Sequence, residues 1–273
     1  MTSSGLAKIL KTAVNAAPTF LYPGNFPGGG VATNGSKVWF GVSNSDLWQV
    51  NVDGTSPIDV GTSAHDAHNV AVDATGTYVY WSEQYLDGIY RSTVGVTKSQ
   101  IQISTTDSGT ISEYILVGGN YVYWADTSAH KICRVPILPT QPINATQTCT
   151  AAISTFDNGI ATDGVNVYGS FSDGSIAYIP VNEATTGGLL TTTTLGTGMT
   201  GPGSIATDGT SIYSISTISS GNYAVQRMLI ASPNTVTTLL NTQLNTAGIV
   251  TDATSVYLTQ AGGNTVLQRI TPK

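Results

Sequence analysis

The chain repeats itself, and the period decides the fold class. Short apolar runs ending in turn sequences recur at Val31, Val70, Ile115, Ile160, Ile205 and Ile249, at spacings of 39, 45, 45, 45 and 44 residues. Residues 69–94 form the clearest copy. Periods of this size, built from β-branched and aromatic runs with Gly, Asn and Asp between them, predict four-stranded propeller blades. Six copies predict an all-β chain of six blades.

Within a copy, strand A ends at a turn such as Asp163-Gly164 or Asp208-Gly209. Such pairs supply the positive φ angles of tight hairpins. Strand B then carries Val38-Trp39, Val79-Tyr80, Val122-Tyr123, Val167-Tyr168, Ile212-Tyr213 or Val256-Tyr257. Strand C begins at Ile89, Ile132 and Ile176, and a Thr-rich strand D follows, as over residues 235–240. The last copy reaches Lys273 just after its strand C. Residues 6–12 have the character of the missing strand, so they are expected to complete blade six and close the ring, leaving few exposed sheet edges. An unbroken repeat of this kind predicts one domain over residues 1–273.

Charged residues make up 10% of the chain and the net charge is -6. That offers no electrostatic footprint for nucleic acid or anionic lipid, and no apolar run approaches a membrane span. Residues 1–5 do not read as a signal peptide, yet low charge with abundant Thr, Ser and Asn suggests a secreted or periplasmic protein given without its leader, and a monomer is expected. Cys133 and Cys149 fall on strand C and at the start of strand D of blade three. They could face each other across one hairpin, and a disulfide there implies an oxidising compartment. The alternative is two buried thiols. Sequons at Asn34 and Asn144 matter only in a glycosylating host.

Asp73, Tyr80-Trp81-Ser82-Glu83, Ile89 and Arg91 resemble the YWTD repeat of six-bladed propellers, as do Tyr123-Trp124-Ala125-Asp126, Ile132 and Arg134. NHL-type propellers share this grammar. Blades four to six replace the Trp with Gly169, Ser214 and Leu258. The resemblance implies the fold and says little about activity, because propellers serve as receptors, scaffolds, lyases and hydrolases alike.

Function is sought in what the repeat leaves over. Arg91, Arg134, Arg227 and Arg269 share one strand C column, and Asp73, Asp163, Asp208 and Asp252 share the A–B turn. Recurrence at one repeat position reads as framework. Two positions before each strand A anchor stand Gly29, His68, Glu113, Asn158, Gly203 and Ala247. Three positions after the strand B aromatic stand Val42, Glu83, Asp126, Phe171, Ser216 and Gln260. The first column is polar in blades two to four, and the acidic pair of the second belongs to blades two and three. His65, Asp66, His130 and Asp157 lie nearby in sequence, so the top face of these blades is the expected ligand sector.

There His68, Glu113 and Asn158 are candidate ligands for one divalent cation, with calcium, magnesium, manganese and zinc all open. The competing reading is a solvated loop with ordinary ion pairs. Residues 13–30 form a long connection whose Phe20, Tyr22 and Phe26 either wall the site or pack as a closure segment. Trp81 and Trp124 read as interblade core rather than stacking platforms.

Three functions follow. The favoured one is a binding module taking a small molecule, glycan or protein through His65, His68, Glu83, Glu113, Asp126, His130, Asp157, Asn158, Tyr22 and Phe26. The alternative is a metal-assisted lyase or hydrolase, resembling virginiamycin B lyase or the lactonase propellers, with His68 or Glu113 as base. The third is a rigid scaffold.

Overall fold

The computed structural model describes residues 5–9, 19–23, 30–42, 47–61, 67–83, 88–105, 112–138, 140, 145–156, 159–243, 245–261, 266–271 and 273. The described residues contain no helix, and none is long and apolar enough to cross a membrane. The protein is all-β, a six-bladed β-propeller of antiparallel sheets, and its chain groups into two compact units.

The first unit comprises residues 1–117 and 137–147. It opens with a hairpin, β1 (Gly5–Lys8) on β2 (Thr19–Pro23). The first blade follows as β3 (Val31–Thr33), β4 (Lys37–Gly41), β5 (Leu47–Asn51) and β6 (Ile58–Asp59). The second is β7 (Ala67–Val72), β8 (Tyr78–Glu83), β9 (Gly88–Thr93) and β10 (Ile101–Thr105). In both, each strand pairs with its sequence neighbour. The third blade begins with β11 (Ser112–Gly118).

Alternate residues of a strand point to opposite faces, so a strand buried on both sides is apolar throughout. Trp39, Leu47 and Val60 of the first sheet pack on Val70, Val79, Trp81 and Tyr90 of the second. The opposite face of the first sheet, Val38, Phe40 and Val50, is covered by Leu21 of β2, with Leu6 and Tyr22 beside it. Lys8 Nζ donates to the Val52 carbonyl at 2.6 Å and holds the hairpin there. The N-terminal segment thus covers the face of blade one that turns away from blade two. The expected pairing of residues 6–12 with blade six extends into residues 10–12, outside the described residues.

The second unit comprises residues 118–136 and 148–273. It holds β12 (Tyr121–Asp126), β13 (Lys131–Pro136) and β14 (Thr148–Cys149). Blade four is β15 (Ile160–Thr162), β16 (Asn166–Ser170), β17 (Ile176–Pro180) and β18 (Thr193–Gly196). Blade five is β19 (Pro202–Thr207), β20 (Ser211–Ser219), β21 (Asn222–Leu229) and β22 (Ser232–Thr242). Blade six shows three strands among the described residues, β23 (Asn245–Thr251), β24 (Val256–Ala261) and β25 (Val266–Ile270). Tyr168, Ile176, Met199, Ile205, Ile212 and Met228 fill the space between blades four and five. Tyr213, Ile215, Val225, Ile249, Val256 and Leu258 fill that between five and six.

The repeated aspartates cap the A–B turns. Asp163 Oδ1 accepts the backbone N–H groups of Val165 and Asn166, and Asp208 and Asp252 do the same two and three residues on. Asn34 Oδ1 does this work in blade one. A threonine before the cap closes the turn from the other side, as Thr162 Oγ1 donates to the Asn166 carbonyl and accepts from Gly164 N–H. Thr207 and Thr33 repeat both bonds. The repeated arginines are also framework. Arg134 lies 3.9 Å from the ring centroid of Tyr121 and donates to Tyr123 Oη and to the Glu183 carbonyl. Trp81 and Trp124 are fully buried, as core.

Candidate functional site

The candidate residues divide between the two units. In the first, His68 is half-buried on β7. Its Nδ1 lies 3.1 Å from Asn69 Nδ2, and its carbonyl accepts the Gly30 N–H at 2.5 Å. That contact requires glycine: a Cβ on Gly30 would stand 2.8 Å from Asn69 Cα and 2.9 Å from Val70 N. Gly30, the last residue of the long N-terminal connection, is therefore pinned against the start of β7, at the lead-in that the sequence marks as polar.

Glu83 ends β8 with its side chain buried, and Oε1 accepts the Trp81 indole N–H at 2.9 Å. The acidic group expected at the channel mouth therefore anchors a core tryptophan. Tyr22 lies with its ring centroid 5.7 Å from Phe40 and 5.4 Å from Trp48, as a packed closure segment would have it. Glu113 lies on β11, but its side chain is outside the described residues, as are His65, Asp66 and Phe26.

In the second unit, Asp126 ends β12, buried, and its Oδ1 accepts the Ala129 N–H at 2.9 Å. This caps the B–C turn that carries His130. The backbone of His130 has a φ of 54°, a region that side chains with a Cβ rarely adopt and that costs roughly 1–3 kcal/mol. Two bonds hold it there. Its carbonyl accepts the Ile153 N–H at 2.8 Å, and its ring Nδ1 donates to the Phe156 carbonyl at 2.8 Å. Nδ1 thus carries a proton and points it at Phe156.

Phe156 immediately precedes Asp157 and Asn158, which lie outside the described residues. The histidine is thereby tied to the segment bearing two further candidates. Phe156 is fully buried against Phe171, with centroids 5.4 Å apart. These two rings crowd Gly169, where a Cβ would meet Ile132 Cδ1 at 3.0 Å and Phe156 Cε2 at 3.3 Å. Phe156 and Phe171 thus leave no room for a side chain at the position that holds Trp81 and Trp124 in blades two and three.

Cys133 and Cys149 are joined in a disulfide and pair directly across β13 and β14. The bond fixes the strand that leaves the His130 turn. Among the described residues no group of three His, Cys, Asp or Glu side chains is placed to hold a metal ion.

No protein-family model matches the chain, and no curated protein matches it. Its similarity is to solved structures. A chain of a nidogen/laminin complex superposes with a TM-score of 0.62 at 15% identity, over 86% of this chain and 89% of that one. BamB from Moraxella catarrhalis gives 0.56 at 12% identity, over 89% and 72%. The Cps50 (Swd1) β-propeller domain of Myceliophteria thermophila gives 0.65 at 8%, over 91% and 84%. Likeness at such identities shows the propeller fold alone.

Proposed function

We propose that the chain is a secreted or periplasmic binding module, with a ligand sector formed in its second unit by His130, Asp157 and Asn158. The observation that carries this reading is His130, held at a positive φ by two hydrogen bonds beside the segment that bears the other two. Strained backbone of this kind gathers at binding sites, where surrounding structure fixes a side chain in one pose. The disulfide supports the compartment, since such bonds persist where the surroundings are oxidising. A protein ligand is the first to test, because one structural neighbour comes from a nidogen/laminin complex. A glycan or small molecule uses the same donors and acceptors.

The test is selection from a displayed peptide library and a glycan panel, followed by titration of any binder against His130→Ala, Asp157→Ala and Asn158→Ala. Binding weakened at least tenfold by two of the three, at unchanged melting temperature, supports the sector. Affinity untouched by all three refutes it. The alternative, a metal-assisted lyase or hydrolase with His68 and Glu113 on a divalent cation, is tested by elemental analysis and a melt with and without chelator. Stoichiometric metal lost in His68→Ala would favour the enzyme.

A further inference from the structure

The B–C hairpin of blade five is longer than its siblings. Its strands β20 and β21 run for 9 and 8 residues, against 5 or 6 for every other B or C strand described. Ser216 is buried at the position where Glu83 and Asp126 end their strands. Beyond it Thr217 pairs with Tyr223 and Ser219 with Asn222, and Ile218 is the bulged residue between them. Three residues of strand rise about 10 Å, so a tongue stands above the end of the blade. Blades three and four turn without one, between Asp126 and Lys131 and between Ser170 and Ile176.

The tongue is braced on both sides. Thr217 N–H donates to the Gly201 carbonyl at 3.1 Å, which ties β20 to the lead-in of its own strand A. On the other side β22 runs on beside β21, pairing Asn241 with Ala224 and Thr242 with Tyr223. Tyr223 packs at the edge of the core between blades five and six, and at the tip Asn222 Nδ2 donates to Ser219 Oγ at 2.7 Å. The tip is thus ordered by its own blade.

Its surface chemistry and its shape together define a partner. Charged residues make up 10% of the chain, yet residues 209–251 hold Arg227 as their one charge. On the tongue Thr217, Ser219, Ser220 and Asn222 are exposed, and Ile218 is 45% exposed among them. A single apolar residue on a blade wall asks for no partner, but this one crowns an extension that neighbouring blades do without. The centres of protein interfaces are depleted of Lys, Glu and Asp, and Ser, Asn and Tyr supply adaptable hydrogen bonds around a rigid anchor. Small molecules and sugars bind in clefts that enclose them, and a projecting tip encloses nothing. A tip already ordered loses little freedom on docking.

We infer that the tongue of blade five is a docking element that inserts Ile218 into an uncharged pocket on a folded protein, with Ser219, Ser220 and Asn222 bonding to the rim. The inference rests on blade five and stands apart from the His130 sector. The test selects binders to the whole chain from a displayed library of ankyrin-repeat proteins, whose randomised face is concave. Hydrogen exchange is expected to place the footprints of most binders on residues 215–224. Ile218→Lys is expected to weaken those binders at least tenfold at unchanged melting temperature, while His130→Ala leaves their affinity as it was. The inference is overturned by failure to select a binder, by footprints that lie elsewhere, or by tongue binders indifferent to Ile218→Lys. Affinity lost in His130→Ala and kept in Ile218→Lys would support the His130 sector and refute the tongue. A glycan whose binding is lost in Ile218→Lys would likewise overturn the assignment to a protein partner.

Discussion

Tyr168 Oη donates to Asp163 Oδ2 at 2.8 Å, while the other oxygen of that carboxylate takes two backbone N–H groups. Tyr213 with Asp208 and Tyr257 with Asp252 repeat the pair at 3.0 and 2.9 Å. The phenol of strand B thus ties the A–B turn to the blade. Asp163→Ala leaves three donors without their acceptor and is expected to cost about 2 kcal/mol in urea unfolding. Asp163→Asn keeps an acceptor for the backbone, as Asn34 does in blade one, and is expected to cost about half as much.

The same pair makes stability depend on pH at both extremes. Burial pushes the Tyr168 phenol up to about 12, and the Asp163 carboxylate adds to the rise. A folded value above the unfolded one of roughly 10 gives stability that is fully present below pH 10 and lost as pH rises towards 12. Burial alone would raise Asp163, but the N–H groups of Asn166 and Val165 and the Tyr168 hydroxyl outweigh it and hold the carboxyl low. Asp208 is held low in the same way, with Lys273 the main opponent of burial. Their contribution is present above the unfolded value near 4 and lost as pH falls below it. Denaturation midpoints across pH are expected to drop at both ends. Tyr168→Phe should flatten the alkaline limb and Asp208→Asn the acid one.

Reducing the Cys133–Cys149 bond, which closes a separation of 16 residues, is expected to destabilise the protein by about 3 kcal/mol. Melting with and without dithiothreitol measures this. A Cys133→Ala, Cys149→Ala variant that melts with the oxidised protein would contradict it.

Arg134 is 4% exposed and joins two rings to a carbonyl of the next blade. Arg134→Met is expected to cost about 3 kcal/mol, because Tyr123 Oη and the Glu183 carbonyl lose a charged donor inside the protein. Arg134→Lys should recover little of it, since an ammonium cannot stack and fork at once.

Completion of blade six by residues 6–12 is tested by hydrogen exchange. Deleting residues 1–12 is expected to strip protection from the amides of β25 (Val266–Ile270). Unchanged protection would refute the pairing. Leu21→Ala, by contrast, should cost about 2–3 kcal/mol whichever edge residues 6–12 take, because Leu21 covers Val38, Phe40 and Val50.

The period, the turn residues and the strand B aromatics sufficed to read six blades from sequence, because each blade is built from contacts close along the chain. The framework roles of the Asp and Arg columns were legible for the same reason: recurrence marks what every blade needs. The threonine column at Thr33, Thr162 and Thr207 carries the same signal. The candidate site was legible only as a list of polar positions. Glu83 and Asp126 prove to be tied to an indole and a turn, while His130 is bound to Phe156, 26 residues away. Such links depend on which groups the packing of neighbouring blades brings within hydrogen-bonding distance.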